Sequence, residues 1–264
     1  MTPWRRARVR TPLPVGLDEG TGKPLVLIPG YGTRPDTYQL TARRLARRCR
    51  VLLFDIYAVR GRWRYEDVLR YFTATLDQLE LQRASFLGHS FGGGIELGFA
   101  VRHPERVVEL VFSDTLAVSR EWALADEALS HPLALLGMAT PKATIDFMRS
   151  WAMYPRQLID CAWWGFRSGR SEDIHVIADE GLPAHVLWAN RDSLLRRSDG
   201  QEFAKELHAS FTVVDAPGYV DHDWMYRHPR LFVDHLDKLG LSVLSDAAPS
   251  RRRRHGSASS TKEP

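Results

Sequence analysis

Residues 84–94 read ASFLGHSFGGG, and the fold is decided there. Residues 85–89 form a short apolar run of strand type. Residues 91–102 keep Ile95, Phe99 and Ala100 on one side, as a helix lying on a sheet does. Between them Gly88-His89-Ser90-Phe91-Gly92 makes a G-x-S-x-G pattern that occurs once in the chain. A serine on a sharp strand-to-helix turn adopts a strained backbone, in which bulky side chains two residues to either side would collide. Glycine at 88 and 92 removes that clash and leaves the Ser90 hydroxyl above the carboxyl edge of a sheet. The N-terminal amides of the following helix point at the same place, where negative charge would be stabilised. Ser90 is therefore a candidate nucleophile.

Outward from this turn, the chain alternates short apolar runs with helix-length amphipathic segments, the pattern of a parallel sheet covered on both faces. The runs are 24–29 (PLVLIP), 51–55 (VLLFD), 85–89 (SFLGH), 107–113 (VVELVFS), 185–189 (HVLWA) and 211–214 (FTVV). Helices are expected at 36–48, 65–79, 91–102, 201–207 and 228–239. From 117 to 180 no such run occurs, and the segment carries Trp122, Trp151, Trp163 and Trp164 with Met138, Phe147, Met148, Met153 and Phe166. It reads as a helical insertion on one edge of the sheet. The reading divides the chain into a core of 1–116 with 181–244, an insertion of 117–180, and a polar, disordered basic tail of 245–264.

A serine nucleophile needs a base, and the base needs a carboxylate to orient it. The run 185–189 is followed by Asn190-Arg191-Asp192, and the run 211–214 by a loop holding His222. Both lie at carboxyl ends of strands, on the rim that carries Ser90, and the chain order Ser90, Asp192, His222 suits a strand-edge triad. Asp114, after the run 107–113, is an alternative carboxylate. Asp221 and Asp223 flank His222 and read as residues that solvate its loop.

These residues together resemble the α/β-hydrolase superfamily, in its serine-nucleophile branch with a helical cap, over roughly residues 20–240. Residues 88–93 look like its nucleophile elbow, Ala189-Asn190-Arg191-Asp192 its acid loop with alanine in place of the usual glycine, and 217–224 (PGYVDHDW) its histidine loop. His228-Pro229 and the helix after them look like its closing segment. Pro29-Gly30-Tyr31-Gly32 matches the loop after the first central strand, with proline where the family often has histidine. The resemblance implies a mostly parallel sheet with helices on both faces, a helical cap, and an oxyanion hole from the backbone N–H groups of Tyr31 and Phe91. It implies acyl transfer: hydrolysis of an ester or related acyl bond in a small to medium apolar molecule. Trp122, Phe147, Trp151 and Trp163 are candidates to line the pocket, or to fill the small core of the cap itself. Thioesters, lactones, C–C bonds and cofactor-free perhydrolysis are alternatives on the same fold, as is a non-catalytic ligand-binding member. A serine at 90 argues against the branches that place an aspartate there.

Composition narrows the classes further. Of 264 residues, 44% are hydrophobic and 26% charged, which excludes a wholly disordered chain. Cys49 and Cys161 are the only cysteines, too few for a disulfide scaffold. No apolar run approaches the ~18 residues of a membrane span. The N-terminal stretch has arginines without the apolar segment of a secretory signal, so the expected compartment is the cytoplasm. The formal net charge is +4. Arg5, Arg6, Arg8 and Arg10 alone account for that amount, and the last fourteen residues carry as much again, so the body between is about −4. Basic ends of this kind read as solvated, not as a specific nucleic-acid site. No metal constellation is visible, and a Ser-His-Asp mechanism needs no cofactor.

Overall fold

The computed structural model describes residues 15–59, 61–116, 141–167, 171–215 and 220–245. Seven strands form one sheet: β1 (Val15–Glu19), β2 (Pro24–Ile28), β3 (Arg50–Phe54), β4 (Ala84–His89), β5 (Val107–Ser113), β6 (Ala184–Ala189) and β7 (Ser210–Val214). Their spatial order is β1-β3-β2-β4-β5-β6-β7, with β1 antiparallel to β3 and every other neighbouring pair parallel. All six expected strands are present. The seventh, β1, has no apolar run to announce it, because as an edge strand it buries Leu17 alone.

Parallel strands covered on both faces must be apolar at successive positions, and the side chains alternate between two cores. Val26, Ile28, Leu52, Phe54, Phe86, Phe112, Val186 and Trp188 face one core. There they meet α2 (Tyr65–Gln78), α3 (Phe91–Arg102), α6 (Ser171–Glu180) and α7 (Arg197–Glu206). Leu25, Leu27, Val51, Leu53, Leu87, Val111, Leu187 and Ala189 face the other, under α1 (Pro35–Leu45), the single turn α8 (Trp224–Arg227) and α9 (Pro229–Leu239). α7 begins at Arg197, four residues before its expected start, because its first turn is polar. A last turn, α10 (Ser242–Ser245), is fastened to β5: the Ser242 N–H and hydroxyl and the Val243 N–H all donate to the carboxylate of Glu109.

Between β5 and β6 the described regular structure is helical, as α4 (Pro141–Met153), α5 (Pro155–Arg167) and α6. The segment 117–140, with Trp122 and Met138, and the tail 246–264 lie outside the described residues. α4 and α5 are fastened to the loops at the carboxyl edge of the sheet. Thr37 Oγ1 donates to the buried Asp146 carboxylate at 3.0 Å, the Tyr31 hydroxyl to the Leu158 carbonyl at 3.2 Å, and the Gln157 amide to the Gly61 carbonyl at 2.9 Å. Arg62 and Asp160 pair at 2.7 Å. No described helix is long and apolar enough to cross a membrane.

Candidate active site

Ser90 sits between β4 and α3 with φ 52° and ψ −120°, a backbone that costs a non-glycine residue on the order of 1–3 kcal/mol. Backbone hydrogen bonds hold it in place. The Ser90 N–H donates to the Ser113 carbonyl at 2.9 Å, and its own carbonyl accepts from the N–H groups of Gly93 at 3.1 Å and Leu116 at 3.0 Å. The flanking glycines are required for the reason read from the sequence. A Cβ on Gly88 would come within 2.6 Å of Gly93 Cα, and one on Gly92 within 2.8 Å of the Pro29 carbonyl oxygen.

Asp192 and His222 are in direct contact. His222 Nδ1 lies 2.9 Å from Asp192 Oδ2, with both side chains almost wholly buried. The other oxygen of Asp192 accepts from the N–H groups of Leu194 and Leu195 at 2.8 and 2.9 Å, which fixes the carboxylate's direction. A carboxylate on Nδ1 fixes the tautomer of the ring, leaving Nε2 as the proton acceptor. Burial opposes charge on the His222 ring, but the carboxylates of Asp192, Asp114 and Asp221 outweigh it and push the imidazole up to about 9.

Asp114 is in the same cluster, its carboxylate, that of Asp192 and a His222 ring nitrogen lying within 4.8 Å of one another. Its oxygens accept from the Ala189 N–H at 2.7 Å, Trp224 Nε1 at 2.6 Å and Ser113 Oγ at 2.9 Å. His222 Nδ1–H donates to Asp192 and not to Asp114, so Asp114 stands behind the pair. Burial, then the neighbouring Asp192 charge, pushes its carboxyl far above the usual carboxylate range. This trio is the one group of potential metal ligands found among the described residues, and the carboxylates of Asp114 and Asp192 already accept from protein donors.

The flanking aspartates are not the loop-solvating residues the sequence suggested. Asp221 is buried and accepts from the Ser193 N–H and hydroxyl and from the His222 N–H, tying the histidine loop to the acid loop. Asp223 is buried too, paired with Arg227 at 2.8 Å. Short side chains on a tight loop turn back onto nearby amides more readily than they reach solvent.

Tyr31 and Phe91 face each other, ring centroids 6.3 Å apart. The amides on either side of Tyr31 are occupied, Gly30 N–H by the Tyr38 hydroxyl and Gly32 N–H by the Tyr57 hydroxyl. Among the described residues the N–H groups of Tyr31 and Phe91 meet no acceptor. Of the expected pocket residues, Phe147 packs edge-on against Tyr31 at 6.4 Å, and Trp151, 36% exposed, packs on Phe147 at 6.3 Å. Trp163 is 61% exposed. Its neighbour Trp164 is the tryptophan that reaches the elbow, stacked on Tyr65 at 4.2 Å and edge-on to Phe91 at 5.2 Å. The 217–219 part of the histidine loop lies outside the described residues.

A doubly covered parallel sheet, a strained serine after its central strand and a buried histidine–carboxylate pair on the same edge define a class. Residues 23–155 match the family model described as the alpha/beta hydrolase fold, and the chain belongs to that family. It is 30% identical over 247 residues to the Mycobacterium phage D29 protein named "Putative non-heme haloperoxidase", covering 81% of this chain and 86% of that one. Over 112 residues it is 37% identical to 2-hydroxymuconate semialdehyde hydrolase of Pseudomonas sp. (strain CF600), covering 39% of this chain and 40% of the relative. The bromoperoxidase of Bacillus anthracis shares the fold, with a TM-score of 0.69 at 17% identity over 84% of this chain and 93% of its own.

Proposed function

We propose that the protein is a serine hydrolase that cleaves a carboxylic ester, or a related acyl bond, of a small to medium apolar molecule. The observation that carries this reading is the buried 2.9 Å contact of His222 Nδ1 with Asp192 on the edge that presents Ser90. His222 Nε2 takes the Ser90 proton as Oγ attacks the carbonyl carbon. Asp192 holds the ring and stabilises the imidazolium. The oxyanion is received by the N–H groups of Tyr31 and Phe91, each donor worth on the order of 10²–10³ in rate. His222 then protonates the leaving alcohol, the acyl group stays on Ser90, and water activated by the same imidazole releases it. Residues 117–180 serve as a cap over a core of 1–116 and 181–244, with Phe147 and Trp151 on the acyl side of the site. The substrate is a small molecule, and the chemistry calls for neither metal nor organic cofactor.

Hydrolysis of p-nitrophenyl esters from acetate to palmitate, with Ser90→Ala alongside, tests this reading. Activity that peaks at one chain length and falls at least 10³-fold in Ser90→Ala is expected. A folded Ser90→Ala protein as active as the parent would overturn it. The relative named 2-hydroxymuconate semialdehyde hydrolase favours a second reading, in which the same residues release a carbon leaving group. Turnover of that semialdehyde, without turnover of any ester, would favour the second reading over the first.

A further inference from the structure

We infer that Tyr38 and His89 are positioning residues which hold the backbone of His222 in register with Ser90 and the Gly30–Tyr31 loop. The inference rests on the hydrolase reading above and adds to it two residues whose hydrogen bonds run to each other and to the backbone of His222 and Gly30.

The connection is a one-way chain of hydrogen bonds. His89 Nε2 lies 2.9 Å from the His222 carbonyl oxygen. A carbonyl can only accept, so this nitrogen carries the proton and Nδ1 is left with a lone pair. Tyr38 Oη, 2.7 Å from Nδ1, therefore donates to it, and in turn accepts from the Gly30 N–H at 3.0 Å. Three loops far apart in sequence are thus joined through two side chains: the one after β2, the elbow at Ser90, and the one carrying His222. Tyr38 and His89 are both buried, and Tyr226 closes edge-on over each ring, at 5.3 and 6.0 Å. The His89 and His222 rings lie 5.0 Å apart. Burial, then the neighbouring His222, holds His89 down to about 3, so the strut stays neutral and keeps its direction while His222 gains and loses its proton. A proton on His89 Nδ1 would face the Tyr38 hydroxyl and force the chain to reverse.

Positioning of this kind acts on the turnover step, where a shift of about 1 Å can cost on the order of 10²-fold. The test is p-nitrophenyl acetate turnover by Tyr38→Phe, His89→Leu and His89→Gln, each shown folded by circular dichroism. The proton of His222 Nδ1 is followed by NMR in the same variants. Tyr38→Phe should lower kcat about tenfold to a hundredfold with KM within about twofold, and should move the His222 resonance. Glutamine can still donate to the His222 carbonyl, so His89→Gln should keep clearly more activity than His89→Leu. Parental kcat in both Tyr38→Phe and His89→Leu would overturn the inference, as would equal losses in His89→Gln and His89→Leu. Should the parent turn over no ester, the ester-hydrolase reading fails. The resonance then decides the strut alone: movement in Tyr38→Phe supports it, and an unmoved signal overturns it.

Discussion

In the proposed mechanism His222 must be neutral to accept the Ser90 proton, yet the buried Asp192 carboxylate on its Nδ1 holds its proton on. A base whose pKa is raised to about 9 is protonated at neutral pH, so kcat/KM should fall as the pH drops below that value. The acid limb then lies above the 6–7 range of an ordinary imidazole, the range the sequence alone would suggest. A profile measured from pH 5 to 10 checks this, and a limb at 6.5 or below would contradict the charge arrangement. Asp192→Asn removes the carboxylate that orients the ring. It should lower kcat by roughly 10³–10⁴, the scale seen when a triad loses its acid, and move the limb downward. An Asp192→Asn enzyme with parental kcat would show that Asp114 orients the ring instead. The Ser90 turn and the Asp192–His222 pair were legible in the sequence because each residue follows a strand and the expected chemistry demands those residue types. Tyr38 and His89 were not. Their hydrogen bond joins residues 51 positions apart, and neither spacing nor residue type announces it.

Elements succeed or fail as sequence signals according to how much they bury. The inner strands β2 to β6 are apolar at nearly every position because helices cover both faces, and all were readable. Edge strand β1 and the terminal turn α10 bury one or two residues each and leave little pattern to read. The elbow is the element where sequence and backbone constrain each other most tightly. Gly92→Ala would press a methyl group onto the backbone of β2, so it should destabilise the fold by about 1–3 kcal/mol, read as a lower urea midpoint. A midpoint unchanged from the parent would mean the elbow has more room than its geometry shows. In the helices between β5 and β6, Phe147 fills the space beside Gly32 and Tyr31. Phe147→Ala should move the preferred ester towards longer acyl chains, by on the order of tenfold in relative kcat/KM. An unchanged chain-length profile would place the acyl group elsewhere.

At the scale of the whole molecule, the described fold closes at α10, where Glu109 gathers three donors from Ser242 and Val243, and Val243 and Leu244 are buried. Removing residues 247–264 should therefore leave stability unchanged and ester turnover within about twofold. Removing 241–264 uncovers the buried Glu109 carboxylate and takes away three buried apolar side chains, Leu241, Val243 and Leu244, and should cost at least ~3 kcal/mol by denaturant unfolding. Equal stability of the two truncated chains would contradict the role given to α10. The same sheet brings Ser90, Asp192 and His222, spread over 133 residues of chain, to one edge, where the proposed mechanism has them act as one nucleophilic unit. Peptide mapping after exposure to a fluorophosphonate probe, with Ser90→Ala and His222→Gln treated in parallel, tests whether they do. One adduct, on Ser90, formed at least 10²-fold more slowly in His222→Gln and absent in Ser90→Ala, is the predicted result. A parent protein that takes up no probe, or takes it up at another residue, would contradict the account.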